Sequence, residues 1–272
     1  MRAGVAAARL AGSAPTSLSA LRLPGGAHRG WRRVRAPSVG QLLREAFELY
    51  RGNVRLVLAV TVPVVIVVTG LTALGLGELG ARVNPAPPPR DAYVDFAVSE
   101  LVTGPLITAI LARLVLLKRR GEAVNATDLV ADALELFPAV LLVIITWLLV
   151  AFGGFAFFFL PGAYIFVSWY FVVQAVVIDG DRGFAPIRRS ALLVRGHWWQ
   201  SAGTGAAFWL ASLVPQVVIV YALTPVARSA NSYAIVVVAA ALASVIALPF
   251  LAIGATLYYL ELRDGAARAA RA

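Results

Sequence analysis

Long apolar stretches follow one another almost without interruption from Val54 to Leu260. A helix rises 1.5 Å per residue, so about 20 apolar residues cross the roughly 30 Å hydrocarbon layer of a bilayer. Apolar residues make up 60% of the chain and charged residues 14%, whereas a water-soluble domain carries far more charge. We therefore predict an all-α, polytopic membrane protein with six transmembrane helices, over residues 54–76, 96–117, 138–160, 163–178, 199–221 and 234–260.

The charge pattern divides the chain into three regions. Residues 1–37 contain seven arginines and no acidic residue, which indicates a disordered basic tail; a targeting segment and a misassigned start codon are the alternatives. Residues 38–265 form the six-span membrane domain, with a turn at Pro161-Gly162 between the third and fourth spans. Residues 266–272 are predicted to form a short C-terminal tail.

Each pair of spans follows a segment with the periodicity of an amphipathic helix. Ser38 and Gln41 have the spacing of a capping box, and the helix predicted over residues 38–51 has one apolar and one charged face. Residues 125–137 repeat this pattern with Asn125 in the place of Ser38, and residues 188–199 are a weaker, basic third copy. We predict three units, each an interfacial helix followed by a transmembrane hairpin.

The distribution of cations predicts the orientation. With six spans, 21 lysine and arginine residues lie on the side of the N-terminus and three on the opposite side. By the positive-inside rule, both termini are cytoplasmic. Lys118 is the single lysine among the 24 basic residues, which is typical of a GC-rich bacterial genome. We therefore expect the protein in the inner (cytoplasmic) membrane of a bacterium.

The segment after the fourth span concentrates cations and aromatic rings at the predicted membrane surface. Each cation there contributes about 1 kcal/mol to contact with acidic lipid, and tryptophan is enriched at the level of the headgroups. Simple anchoring of the topology would produce the same pattern, so both interpretations stand. The candidate residues for contact with anionic lipid headgroups are Arg188, Arg189, Arg195, His197, Trp198 and Trp199.

No catalytic, metal-binding or cofactor-binding signature occurs in the sequence. The chain has no cysteine, and its two histidines are His28 and His197. Within the predicted second span, Glu100 and Arg113 are 13 positions apart, about 20 Å along one helix, so they cannot pair with each other. We predict no enzymatic activity, no cofactor and no metal. Because the cations lie beside apolar runs, nucleic acid is not an expected partner.

Two functions are compatible with these features. The first is a scaffold or interaction module that contacts acidic lipid and an unknown protein partner, such as a soluble or membrane hydrolase. The second is a small transporter or lipid-translocating component. A polar cavity at the bilayer midplane, lined by groups such as Gln216, Ser212 or Glu100, would favour transport, and tight apolar packing there would favour the scaffold.

Two segments carry a resemblance to a known family. They are PGAYIFVSWYFVVQAVVIDGDRGFAPIRRSALLVRGHWW at residues 161–199 and ATLYYLELRDG at residues 255–265. Together they resemble the membrane domain of bacterial glycerophosphoryl diester phosphodiesterases and its free-standing relatives. The resemblance covers roughly residues 38–265 and implies an integral membrane protein without the hydrolase domain, because no barrel with its carboxylates and histidines fits in this chain. It provides no catalytic residue.

Overall fold

The computed structural model describes residues 38–83, 94–95 and 97–271, so the tail predicted over residues 1–37 lies outside the described residues. All regular structure in the described part of the chain is helical. Six helical segments are long and apolar enough to cross a membrane, in agreement with an all-α, multi-pass membrane protein. They are Val54–Gly75, Leu101–Arg119, Ala126–Phe157, Phe159–Asp179, Trp198–Ala230 and Tyr233–Arg268.

The described residues form nine α-helices. In chain order these are α1 (Val39–Gly52), α2 (Val54–Gly75), α3 (Gly104–Arg119), α4 (Ala126–Phe157), α5 (Phe159–Ser168), α6 (Val172–Asp179), α7 (Ala185–Val194), α8 (Trp198–Ala230) and α9 (Tyr233–Arg271). A 3₁₀ turn at Glu78–Gly80 follows α2, and a π-helical turn at Ser99–Thr103 leads into α3. The residues predicted as a C-terminal tail continue α9 as far as Arg271.

α3 and α9 lie at the centre of the molecule. α3 packs against α2, α4, α6 and α9, and most of its side chains are buried. α9 also contacts α1, α2, α7 and α8, so it joins the first helices of the chain to the last ones. The remaining long helices bury only one side of their apolar surface, and the other side is left for lipid.

The N-terminus of α1 has the predicted capping box. Ser38 Oγ accepts a hydrogen bond from the Gln41 amide at 3.3 Å, and Gln41 Oε1 accepts one from the Ser38 amide at 3.0 Å. Leu42 and Ala46 are fully buried against the rest of the protein, whereas Phe47 on the same apolar face is 55% exposed. The apolar face of α1 is therefore shared between the helical core and the surroundings.

The prediction of a turn at Pro161-Gly162 is wrong. α4 ends at Phe157, and the chain reverses at Phe158, the one residue between the two helices, with extended φ and ψ of −154° and 133°. Pro161 is the third residue of α5, where a proline is tolerated because the first amides of a helix have no intrahelical acceptor. Pro138 lies inside α4, so the amphipathic segment and the third span form one helix.

Glycine permits close helix contacts at two positions. A Cβ at Gly154 would lie 2.9 Å from the Cα of Gly162, so these two residues bring α4 and α5 together near their turn. A Cβ at Gly254 would lie 2.1 Å from the ring of Phe208, so α8 and α9 also approach closely. Of the adjacent glycines Gly153 and Gly154, only Gly154 makes such a contact, since nothing lies within 4 Å of a Cβ at Gly153.

An ion-pair network at the C-terminal end of α3 joins three helices. Arg119 Nη2 on α3 lies 2.8 Å from Glu45 Oε1 on α1 and 3.3 Å from Glu261 Oε1 on α9. All three side chains are partly exposed, so each pair contributes little by itself. The guanidinium of Arg119 nevertheless connects α1 to α9, because it pairs with an acid on each of these helices.

Candidate functional site

α7 lies between the fourth and fifth spans and begins after an acidic corner. Gly180 ends α6 with a φ of 70°, a left-handed conformation that glycine adopts without strain, and places Asp179 and Asp181 on either side of the corner. Pro186 stands in the first turn of α7. The face of α7 that packs on the protein consists of Pro186, Ile187, Arg189, Ser190, Leu193 and Val194.

Arg189 on this inner face is paired with both acids of the corner. Its Nε and Nη2 donate hydrogen bonds to the two carboxylate oxygens of Asp181, the second at 3.1 Å, and its Nε lies 3.6 Å from Asp179 Oδ2. The side chains of Arg189, Asp179 and Asp181 are only 7%, 8% and 9% exposed. Burial lowers the pKa of the Arg189 guanidinium, but the hydrogen bonds to Asp181 and the charge of Asp179 outweigh it and raise this pKa above its ordinary value.

Asp179 also connects the corner to α9. The hydroxyl of Tyr259 donates a hydrogen bond to Asp179 Oδ2, and Arg263 Nη1 lies 3.3 Å from Asp179 Oδ1. We call Asp179, Asp181, Arg189, Tyr259 and Arg263 the acidic-corner cluster. It brings together the two sequence segments that carry the family resemblance, and it leaves α7 attached to both α6 and α9.

Ser190 fills an interruption in the fourth span. α5 ends at Ser168 and α6 begins at Val172, so the helical hydrogen bonds are broken between them. The Phe171 amide donates to Ser190 Oγ at 3.1 Å, and the Ser190 hydroxyl donates to the Ser168 carbonyl at 2.9 Å. Both groups are buried, and an unpaired polar group would be costly there. Ser190 of α7 thus satisfies the backbone hydrogen bonds at the break, and the adjacent Arg189 pairs with the acids of the corner.

The opposite face of α7 carries cations and apolar side chains in alternation. Phe184, just before the helix, is 74% exposed, Leu192 is 38% exposed, and Arg188 and Arg195 are exposed. At 100° per residue these four positions fall within about 80° of one another on the helix. We call Phe184, Arg188, Leu192 and Arg195 the outer stripe.

The structure separates the six residues predicted to contact lipid. Arg188 and Arg195 lie on the outer stripe, and Trp199 follows it at 83% exposure. Arg189 differs from the prediction, because it points inward and is already paired with two carboxylates. The remaining two, Trp198 and His197, lie at the start of α8 and are half-buried.

Trp198 and His197 position the start of α8. The indole N–H of Trp198 donates to the Tyr164 carbonyl at 3.3 Å, and the two rings stack with their centres 6.1 Å apart. The His197 carbonyl accepts a hydrogen bond from the Ser201 amide at 2.8 Å as the helix begins. Both residues therefore have contacts within the protein, whereas the neighbouring side chain of Trp199 is largely exposed.

Sequence reasoning missed several partners. In the sequence, Asp179, Asp181, Tyr259 and Arg263 stand out only as members of the two segments that carry the family resemblance. Arg113, which is too far along the helix to pair with Glu100, has a different partner, since its Nε lies 3.3 Å from Asp132 Oδ2 on α4. The signal available in the sequence was the pair of acids, Asp179 and Asp181, within ten residues before Arg189.

Of the groups proposed to line a midplane cavity, Ser212 and Gln216 are about one turn apart on α8, and Glu100 lies in the π-helical turn before α3. The Ser212 hydroxyl donates to the Trp209 carbonyl of its own helix at 2.7 Å, Gln216 is half-buried, and the side chain of Glu100 lies outside the described residues. Among the residues that the structure describes, no group of three His, Asp or Glu side chains is arranged to hold a metal ion.

No protein-family model, curated protein or solved structure matches the chain.

Proposed function

We propose that this protein is a non-enzymatic interaction module of a bacterial inner membrane and contacts anionic lipid headgroups through the outer stripe of α7. The observation that carries the proposal is the alternation of Phe184 and Leu192 with Arg188 and Arg195 on one exposed face. Water is a poor surrounding for the two apolar side chains, and hydrocarbon is a poor one for the two cations. The boundary between headgroups and acyl chains suits both.

The membrane topology belongs to the same proposal. Each of the three units consists of a segment at the cytoplasmic surface followed by two spans: α1 before α2 and α3, the start of α4 before the rest of α4 and α5–α6, and α7 before α8 and α9. The close packing of α4 on α5 and of α8 on α9 supports the second and third hairpins. The excess of cations on the side of the N-terminus supports cytoplasmic termini.

The scaffold role is supported by the way α7 is held. Arg189 and Ser190 attach its inner face to α6, to α9 and to the break in the fourth span. A surface helix fixed on one side presents its other side in a constant orientation, which favours binding because little conformational freedom is lost. The protein partner proposed to be recruited there is a soluble or membrane hydrolase, in line with the family resemblance.

Transport is the second candidate, and the interrupted fourth span is the observation that favours it. Transporters bind substrates at discontinuous helices near the bilayer midplane. In this protein Ser190 satisfies the backbone groups at the break, and the hydroxyl of Ser212 is bonded within its own helix. Lipid contact on α7 therefore stands as the first proposal.

Lipid binding in mild detergent tests the first proposal. The purified protein is titrated with phosphatidylglycerol and with phosphatidylethanolamine, and bound lipid is counted by native mass spectrometry. At about 1 kcal/mol per cation, the double variant Arg188→Gln/Arg195→Gln should lose roughly 30-fold in affinity for phosphatidylglycerol. The exposed Arg228 at the far end of α8 provides a matched control, because Arg228→Gln removes the same charge without touching the outer stripe.

Two outcomes would count against the proposal. If the double variant kept its preference for phosphatidylglycerol, the outer stripe would not be the lipid contact. If the untreated protein retained one stoichiometric small molecule, transport would become the better explanation. Recovery of a hydrolase by mass spectrometry of the same preparation would support the scaffold role.

A further inference from the structure

The turn between α4 and α5 exposes a run of large apolar side chains. Phe157, Phe158, Phe159 and Leu160 are 84%, 72%, 73% and 78% exposed. Between residues 147 and 163 the sequence contains no charged, amide or hydroxyl side chain. The turn between α8 and α9 is different, because Arg228, Ser229 and Asn231 are exposed there. The α4–α5 turn is thus apolar, whereas the α8–α9 turn is polar.

The backbone of the α4–α5 turn is also suited to an apolar environment. The Phe158 amide donates to the Gly154 carbonyl at 2.9 Å, and the Gly162 amide donates to the Phe158 carbonyl at 3.4 Å. Pro161 has no amide hydrogen at a position where a helix would otherwise present an unpaired one. A single non-helical residue connects the helices, so few backbone groups need water.

Helix lengths agree with this polarity. From Pro138 to Phe157 α4 has 20 residues and rises about 30 Å, which equals the thickness of the hydrocarbon layer. α8 has 33 residues and rises about 50 Å, so at least one of its ends extends well beyond the hydrocarbon. The polar residues at the C-terminal end of α8 are consistent with a turn that reaches water there.

We propose that residues 157–160 are submerged in the leaflet opposite the outer stripe and contact lipid acyl chains. The third and fourth spans then do not reach the aqueous phase at that surface, and the aromatic turn anchors the hairpin by apolar contact alone. Phenylalanine and leucine have no polar group that needs the headgroup region, unlike tryptophan and tyrosine, so three phenylalanines followed by a leucine fit the acyl-chain side of the boundary. This inference is independent of the lipid contact of α7.

The absence of cysteine allows a direct test by single-cysteine labelling. Phe158→Cys, Leu160→Cys and, as the aqueous control, Ser229→Cys are treated with a membrane-impermeant maleimide in right-side-out and in inside-out vesicles. The Ser229→Cys variant should react in one of the two preparations, and the other two should react at least tenfold more slowly in both. Denaturation in sodium dodecyl sulfate should make all three react at similar rates. Fast labelling of the Phe158→Cys and Leu160→Cys variants in either vesicle preparation would overturn the proposal.

A nitroxide attached at the same positions distinguishes lipid from protein as the surrounding medium. Contact with acyl chains gives frequent collisions with oxygen and few with a water-soluble nickel complex. Frequent collisions with the nickel complex would place the turn in water, and few collisions with either reagent would place it against protein, such as a second copy of the chain. Both of these results contradict the proposal.

Discussion

Replacement of Arg189 by glutamine should destabilise the protein far more than the same change at the neighbouring Arg188. Arg189→Gln removes the positive charge that lies between Asp179 and Asp181, and both carboxylates are more than nine-tenths buried. Asp179 keeps Arg263 and the hydroxyl of Tyr259 as partners. Asp181 loses the guanidinium that binds both of its oxygens.

The size of the effect follows from this difference between the two acids. Removal of one partner from a buried ion pair costs about 3–5 kcal/mol, because the other charge is left without compensation. Since only Asp181 loses its paired cation, we expect the lower end of that range, about 3 kcal/mol. For a chain of this size each kcal/mol lowers Tm by about 2–4 °C, so the expected decrease is about 6–12 °C.

Thermal unfolding of the purified variants in one detergent measures the effect. The control is Arg188→Gln, which removes the same charge from an exposed position and should change stability by less than about 0.5 kcal/mol. Asp181→Asn completes a double-mutant cycle. The double variant Arg189→Gln/Asp181→Asn should lose less free energy of unfolding than the two single variants lose in sum. Equal Tm values for the variants at Arg188 and Arg189 would refute the argument that the buried pair holds α7.

Two further substitutions test the contacts that fix the helices. Ser190→Ala leaves the buried Phe171 amide and Ser168 carbonyl without a partner and should lower the free energy of unfolding by about 1–3 kcal/mol, and hydrogen exchange should report faster opening of the break in the fourth span. Gly254→Ala places a methyl group against the ring of Phe208 and should cost about 1–3 kcal/mol by thermal unfolding, whereas Gly203→Ala on α8, with nothing within 4 Å, is the neutral control.

The sequence was sufficient to predict what depends on local pattern. The number of spans follows from the lengths of the apolar runs, and the cap of α1 follows from the spacing of Ser38 and Gln41. The turn at Phe158 was missed because Pro161-Gly162 is a strong turn signal, and the signal does not distinguish a reversal from the first turn of a new helix. The break in the fourth span was missed because Ser190, which stabilises it, is 19 residues from Phe171.

The position of Arg189 shows where helical periodicity stops being informative. On α7 it lies 100° from Arg188, at the edge of the buried arc, so the pattern alone permits either face. The choice is made by Asp179 and Asp181, which precede the helix and become its neighbours only when the chain folds back. Pairing between charges on either side of a turn depends on the tertiary structure, and helical periodicity describes only a single helix.

The two faces of α7 depend on each other. If Arg189 lay on the surface with Arg188 and Arg195, the stripe would gain a cation, but Asp181 would remain buried without a paired cation. With Arg189 turned inward, the outer stripe keeps two cations separated by Leu192. Arg189 and Arg263 of α9 together then balance the two carboxylates of the corner. The pairing at the acidic corner therefore decides which basic side chains of this segment are buried and which are exposed on the outer stripe.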